Sequence, residues 1–226
     1  MMQYENSKAI ENVTFDIEKG SFVSIVGENG AGKSTLVKGI VGIEPVFAGT
    51  IDINSNKKVF GYMPQHTSVS NHFPASVYEI CKTGCLAGKL IPHLSKTDFE
   101  KINLYISLLG LENIKNKKFS SLSGGQKQKA LLCRALCTQS EILVLDEPSN
   151  GLDISSAYDL YEALKDINLR LGVTCIIISH DMDAAVKYSS HILHLNKYML
   201  FYGNTNDYIT SDVYLHYKGG VKKTDA

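Results

Sequence analysis

The chain has 226 residues, with 23 Lys plus Arg against 23 Asp plus Glu and a formal net charge of zero. Balanced charge argues against a protein held on nucleic acid or lipid by bulk electrostatics, and no apolar run approaches the ~20 residues a membrane span needs. Hydrophobic residues make up 44% and charged residues 20%, enough for a sizeable core and too little charge for a disordered chain.

The opening MMQYENSKAIENV has no apolar stretch of signal-peptide length, which predicts a chain that stays in the cytoplasm. Residues 14–18 alternate apolar and polar and predict a strand, closed by a Lys19-Gly20 turn. Residues 21–26 predict a short apolar strand, 34–41 a helix after a Gly-rich loop, and 50–53 and 59–62 two further strands. Residues 76–125 change character. Val77, Ile80, Cys81, Gly84 and Cys85 keep a helical period, as do Phe99, Ile102, Ile106 and Leu109, with Pro92 and Gly110 as punctuation. We read this stretch as a mostly helical insertion.

Alternation follows. A helix over 123–138 precedes an apolar strand at 142–145. A second helix carries Ala157, Leu160, Leu164, Ile167 and Leu171, with Gly172 as its stop. Next come a strand at 174–178, a short helix from Met182 and a strand at 191–195. Near-continuous apolar strands separated by helices predict a parallel sheet covered on both faces, an α/β fold.

The five cysteines suit a reduced compartment. Cys81/Cys85 and Cys133/Cys137 are each four apart, a spacing that puts both thiols on one helix face, where a metal could bridge them. Both pairs continue apolar stripes, so packing as small buried hydrophobes is the reading we favour.

Residues 27–34, GENGAGKS, satisfy G-x-x-x-x-G-K-[ST] between a predicted strand and a predicted helix. Glycines let backbone N–H groups converge on phosphate oxygens, and the helix N-terminus adds partial positive charge. Lys33 can neutralise the β- and γ-phosphates and the Ser34 hydroxyl can ligate Mg²⁺. Asp146 and Glu147 end the strand at 142–145, at the sheet edge where ligands of open α/β sheets sit. Asp146 is placed for Mg²⁺, and Glu147 can polarise an attacking water as general base. Ser123 followed by Gln126 is a capping-box pattern, so a helix should begin there, with Gly124 and Gly125 exposing N–H groups in its first turn. One nucleotide hardly needs two such anion sites from one chain. Two chains facing head to tail would use both.

These segments resemble the nucleotide-binding subunit of an ABC transporter over essentially the whole chain. GENGAGKST is similar to the Walker A motif, LSGGQ to the signature motif and ILVLDE to Walker B. The resemblance implies a P-loop NTPase (RecA-like) core with an N-terminal antiparallel β subdomain and an inserted α-helical subdomain, all within one ATPase domain over 1–226. It implies ATP and Mg²⁺ as cofactors. ATP would be contacted by Tyr4 (stacked on adenine), Gly27, Glu28, Asn29, Gly30, Ala31, Gly32, Lys33, Ser34 and Thr35. Gln65 falls at the Q-loop and His180 at the switch histidine, expected at the γ-phosphate. With Glu147 and Lys33 they form the expected catalytic set, and Ser34, Gln65 and Asp146 the expected Mg²⁺ set. Asp153 falls in the D-loop. Ser123, Gly124, Gly125 and Gln126 would contact the ATP of the opposite chain. Lys129 departs from the family's usual arginine, keeping charge and losing planar bidentate geometry.

The stretch 71–80, NHFPASVYEI, resembles a segment of zinc- and manganese-type importer ATPases. That implies uptake of a divalent transition metal, with a homodimer of ATPase subunits bound to an integral membrane permease, an extracellular solute-binding protein in the full system, and no nucleic acid. The chain would sit on the inner face of the cell membrane through the permease, which would receive the surface around Gln65 and residues 66–85, Phe73 and Pro74 included. His66, His72 and His93 lack metal-ligand spacing and read as surface or interface residues. The alternatives are an ABC importer ATPase for another small solute and a non-transport P-loop ATPase.

Overall fold

The computed structural model describes residues 2–4, 7–54, 60–65, 74–89, 91 and 93–221, with 2–4, 7–9, 220 and 221 described by backbone alone. Expectations for Val59, His66, His72, Phe73 and Pro92, and for the Tyr4 side chain, lie outside the described residues.

A short antiparallel pair, β1 (Met2–Tyr4) and β2 (Ser7–Ile10), opens the chain. The main sheet has the order β4-β5-β6-β3-β7-β8. It uses β3 (Phe22–Val26), β4 (Gly61–Met63), β5 (Ile142–Asp146), β6 (Thr174–Ile178), β7 (His191–Asn196) and β8 (Tyr198–Asn204). The five strands β4 to β7 of that order run parallel, and β8 returns antiparallel to β7. All residues of β3 and β6 are buried, as the near-continuous apolar runs predict for strands covered on both faces.

Successive side chains point to opposite faces. Leu143, Leu145, Cys175 and Ile177 join α2 (Val77–Cys85), α3 (Lys96–Leu108), α4 (Gly124–Leu136) and α5 (Ile154–Leu171) in one continuous apolar cluster. Ile25, Val144, Ile176, Ile178, Leu193 and Leu195 face α1 (Lys33–Ile40) through Leu36 and Val37. The small helices α6 (Met182–Tyr188), α7 (Thr205–Thr210) and α8 (Asp212–Val221) close one end around Tyr208, Tyr214, Ala185 and Ile192.

Two expected strands are absent. Residues 14–18 and 50–53 form no ladder. Val13, Phe15 and Ile17 nevertheless alternate with exposed neighbours and pack on the α1-side cluster, so their period reports a half-buried face without a partner strand. The helix at 154–171 buries Leu160, Leu164 and Ile167 as its stripe predicts, while Leu171 at its last turn is exposed. Phe99 likewise leaves the α3 stripe for solvent.

The five cysteines are free and buried. Cys81 and Cys85 on α2 meet Cys133 on α4 and Cys137 just after it, where Gly84 permits close contact. A Cβ there would stand 2.0 Å from Arg134 O. Burial pushes the Cys85 thiol up to about 12. No group of His, Cys, Asp and Glu among the described residues is arranged to hold a metal. The thiols are buried within the apolar cluster, as the packing reading has them.

Asp98 anchors the insertion. It caps α3 with Ser95, accepts from Lys89 Nζ at 2.7 Å and from Gln139 Nε2 at 2.9 Å, and is buried. The Lys89 ammonium, and then the Ser95 N–H, hold its carboxyl well below the usual range. A depressed folded-state pKa gives stability that is present above the unfolded value of about 4 and fades as pH falls toward the folded one. Asp98→Asn should lower the melting temperature at pH 7 by several degrees, and thermal scans should show the gap from wild type beginning to narrow only as pH falls below about 4.

Candidate functional site

The phosphate loop joins the buried end of β3 to α1, and its backbone explains its glycines. Gly27 has φ +144°, and a Cβ on it would lie 2.1 Å from Leu195 O at the end of β7. Gly30 (φ +80°) and Gly32 (φ +92°) occupy the left-handed region. Glu28, Asn29 and Gly30 are exposed at the crest, Ala31 and Lys33 are buried, and Ser34 and Thr35 are half-buried at the start of α1. Lys33 Nζ donates to Gly27 O at 2.7 Å and to Glu28 O at 2.8 Å, so the ammonium sits inside its own loop. Burial lowers its pKa, opposed by Glu147 and Asp146.

β5 delivers the acid pair across the sheet edge. Asp146 is buried, and Ser34 Oγ donates to its Oδ1 at 3.2 Å. Burial raises its pKa, the Ser34 hydrogen bond opposing. A desolvated carboxylate beside a serine hydroxyl is a pair of hard oxygen donors of the kind Mg²⁺ takes.

Glu147 follows at φ +52°, with its N–H on Ile178 O at 3.2 Å. A non-glycine residue there is strained by about 1–2 kcal/mol. Its carboxylate gathers three side chains from three segments. Gln65 Nε2, just past β4, donates to Oε2 at 2.5 Å, Asn150 Nδ2 donates to Oε2 at 3.2 Å, and His180 Nε2 bonds Oε1. The structure brings Gln65 and His180 together at the Glu147 carboxylate. Asn150 carried no chemical signal in the sequence. Its local clue is the Asn-Gly turn pair, since Asn150 N also bonds Glu147 O at 3.1 Å. The loop from Glu147 to Leu152 and the start of α6 enclose an open cleft of about 490 Å³, lined by Glu147, Asn150, Leu152, Tyr158, His180 and Asp183 among others.

The second anion-type helix end has the predicted cap. Ser123 Oγ accepts from Gln126 N at 3.4 Å, and Gln126 Oε1 accepts from Ser123 N at 3.2 Å. Ser123 and Gly124 are exposed. Cβ atoms on Gly124 and Gly125 would meet Leu152 and Ser156 at 3.2 and 3.1 Å, so this helix start lies against the D-loop segment of its own chain. Asp153 caps α5, accepting from Ser156 N at 3.0 Å and Ser156 Oγ at 2.6 Å, contacts that hold its carboxyl below the usual range.

A family model described as ABC transporter matches residues 10–150. The chain belongs to the ABC transporter family. It is 33% identical over 214 residues to the zinc uptake system ATP-binding protein ZurA of Listeria innocua, covering 91% of this chain and 83% of that one. It is also 33% identical over 218 residues to the manganese transport system ATP-binding protein MntB of Halalkalibacterium halodurans, covering 93% and 86%. Among solved structures, CbiO1 of Clostridium perfringens, part of the ABC transporter complex CbiONQ, superposes with a TM-score of 0.80 at 26% identity, covering 98% of this chain and 93% of that one. The dimeric cassette MJ0796, bound to ADP and Pi in a post-hydrolysis state, superposes with a TM-score of 0.73 at 25% identity, covering 87% and 90%.

This ABC chain is therefore an ATP-binding and ATP-hydrolysing subunit, and its fold is that of the family's cassettes. Among the described residues, no helix of the ABC subunit is long and apolar enough to cross a membrane.

Proposed function

We propose that this chain powers an importer of a divalent transition metal, zinc or manganese. The observation that carries the substrate class is its likeness to ZurA and MntB, named for zinc uptake and manganese transport, over most of both chains. In this reading the chain is one ATPase unit over 1–226 with the helical segment 76–125 inserted. It works on the inner face of the membrane, bound to an integral permease and served by an external solute-binding protein. Pro74, Ala75, Glu79, Ile80 and Thr83 line a depression of about 290 Å³, which supports that face as the one the permease meets. Deleting the gene should lower cellular zinc or manganese in metal-poor medium, measured as elemental content. Unchanged zinc, manganese and iron beside a defect in sugar, peptide or vitamin uptake would overturn the substrate class and leave the ATPase standing.

Within the site, the N–H groups of 27–34 and the Lys33 ammonium hold the phosphates of ATP, and Tyr4 stacks on adenine. Ser34, Asp146 and Gln65 would hold Mg²⁺, whose chemistry is to neutralise phosphate charge. Glu147 accepts the proton of the attacking water, and His180 releases Glu147 to donate to the γ-phosphate. The shared partner supports this exchange: with Gln65 and Asn150 on Oε2 and His180 on Oε1, release of His180 gives an incoming water the whole of Oε1.

The second Ser123–Gln126 anion end supports a head-to-tail homodimer, each chain's signature closing on the other's ATP, with Asp153 at the same border. Glu147→Gln with ATP should shift the protein from monomer to dimer in sizing chromatography, whereas ADP should not. An unchanged elution volume at high protein concentration would count against the shared site.

A further inference from the structure

Lys197 forms the turn between β7 and β8 and is held at φ +59°, an uncommon conformation for a residue with a side chain. Both of its main-chain groups are engaged by distant segments. Its N–H donates to Ala31 O in the phosphate loop at 2.9 Å, and its carbonyl accepts from Glu11 N, just beyond β2, at 2.8 Å. Leu195, two residues earlier, presses its carbonyl against Gly27. The strand end and its turn therefore hold the phosphate loop at two points, 27 and 31, from behind.

The contact with Ala31 has a directional consequence. In a trans peptide the C=O and the following N–H point in opposite directions, and no cis bond occurs among the described residues. Drawing Ala31 O toward Lys197 therefore turns the Gly32 N–H away from the β7–β8 turn. The carbonyls of Gly27 and Glu28 are meanwhile taken by Lys33 Nζ. Three loop carbonyls are thus occupied by donors of the chain itself. A carbonyl free to rotate toward a phosphate would repel it.

We propose that Lys197 is a positioning residue for ATP binding, its main-chain N–H fixing the Ala31–Gly32 peptide so that the Gly32 N–H is presented to the phosphates. The inference rests on the site reading given above for residues 27–34. The Lys197 ammonium plays no part in it, which separates it from any charge effect.

The test uses the full chain with residue 197 replaced by the α-hydroxy acid analogue of lysine, so that an ester oxygen stands where the N–H was. Lys197→Gly is the control, since it keeps the donor and favours positive φ. Loss of one hydrogen bond should weaken the Kd and raise the KM for ATP by about threefold to tenfold. The kcat should stay within about twofold, and the melting temperature of the nucleotide-free protein should fall by only about 2–4 °C, the cost of one main-chain hydrogen bond in a chain of this size. Lys197→Gly should bind ATP as the wild type does. An ester variant with wild-type Kd, beside a wild type that binds ATP, would overturn the positioning role alone. So would an affinity loss accompanied by a fall in that melting temperature of more than about 10 °C, which would mark general damage to the fold. A wild-type chain that failed to bind ATP would overturn the site reading and this inference with it.

Discussion

Glu147→Gln should keep ATP binding and lose turnover by about two to four orders of magnitude, the range that a positioned general base contributes. The amide is nearly isosteric, so the left-handed turn at 147 and the main-chain bond to Ile178 O remain available. What it cannot do is accept the proton of the attacking water. One of its two terminal atoms also becomes a donor, facing either the Gln65 and Asn150 amides or His180. Single-turnover hydrolysis measured beside equilibrium ATP binding separates the two effects. Turnover near wild type would remove Glu147 from the base role and leave its carboxylate as a structural hub.

Lys33→Ala should act one step earlier, on binding. The ammonium is enclosed by the loop it serves, and burial already lowers its pKa. Alanine removes the main cation facing the phosphates and the donor that Gly27 O and Glu28 O share, Glu28 O keeping only Ala31 N. A hydrogen bond to a charged group contributes roughly 1.5–3 kcal/mol, so ATP affinity should fall by about one to two orders of magnitude. Titration with a fluorescent ATP analogue measures this directly. An affinity within twofold of wild type would mean that the backbone cradle alone holds the nucleotide.

The parallel core was legible because burial on both faces leaves a near-continuous apolar run, as at 21–26, 142–145 and 174–178. The capped helix at Ser123 was legible because a capping box is local. Residues 14–18 misled for a physical reason. Alternation records which side chains meet the core, and Phe15 does so without any neighbouring strand to bond. The strand Tyr198–Asn204 was missed although residues 198–202, YMLFY, form an unbroken apolar run, because only Lys197 separates it from β7, too short a connection to announce a second strand. The pieces of the site that lie in contiguous motifs could be read in advance. Asn150 on Glu147 and Lys197 on Ala31 could not, since each depends on where a turn places one group against another, and neither residue type is chemically distinctive.

The strand order places β6 between β3 and β5, so the strand that bears the phosphate loop never touches the strand that bears the acid pair. In chain order β6 is the last of the three. A ribosome releases the phosphate loop and then the acids, yet the two stay unspaced until residues 174–178 emerge and slot between them. Pairing of such distant segments is slow, and the waiting strands expose apolar edges. Nucleotide affinity should therefore arise abruptly with the length of a nascent chain, absent in one that ends before β6 and present only once that strand and its neighbour β7 are made. The same arrangement makes ATP a ligand of the completed sheet, able to draw late-folding chains toward the native state by mass action.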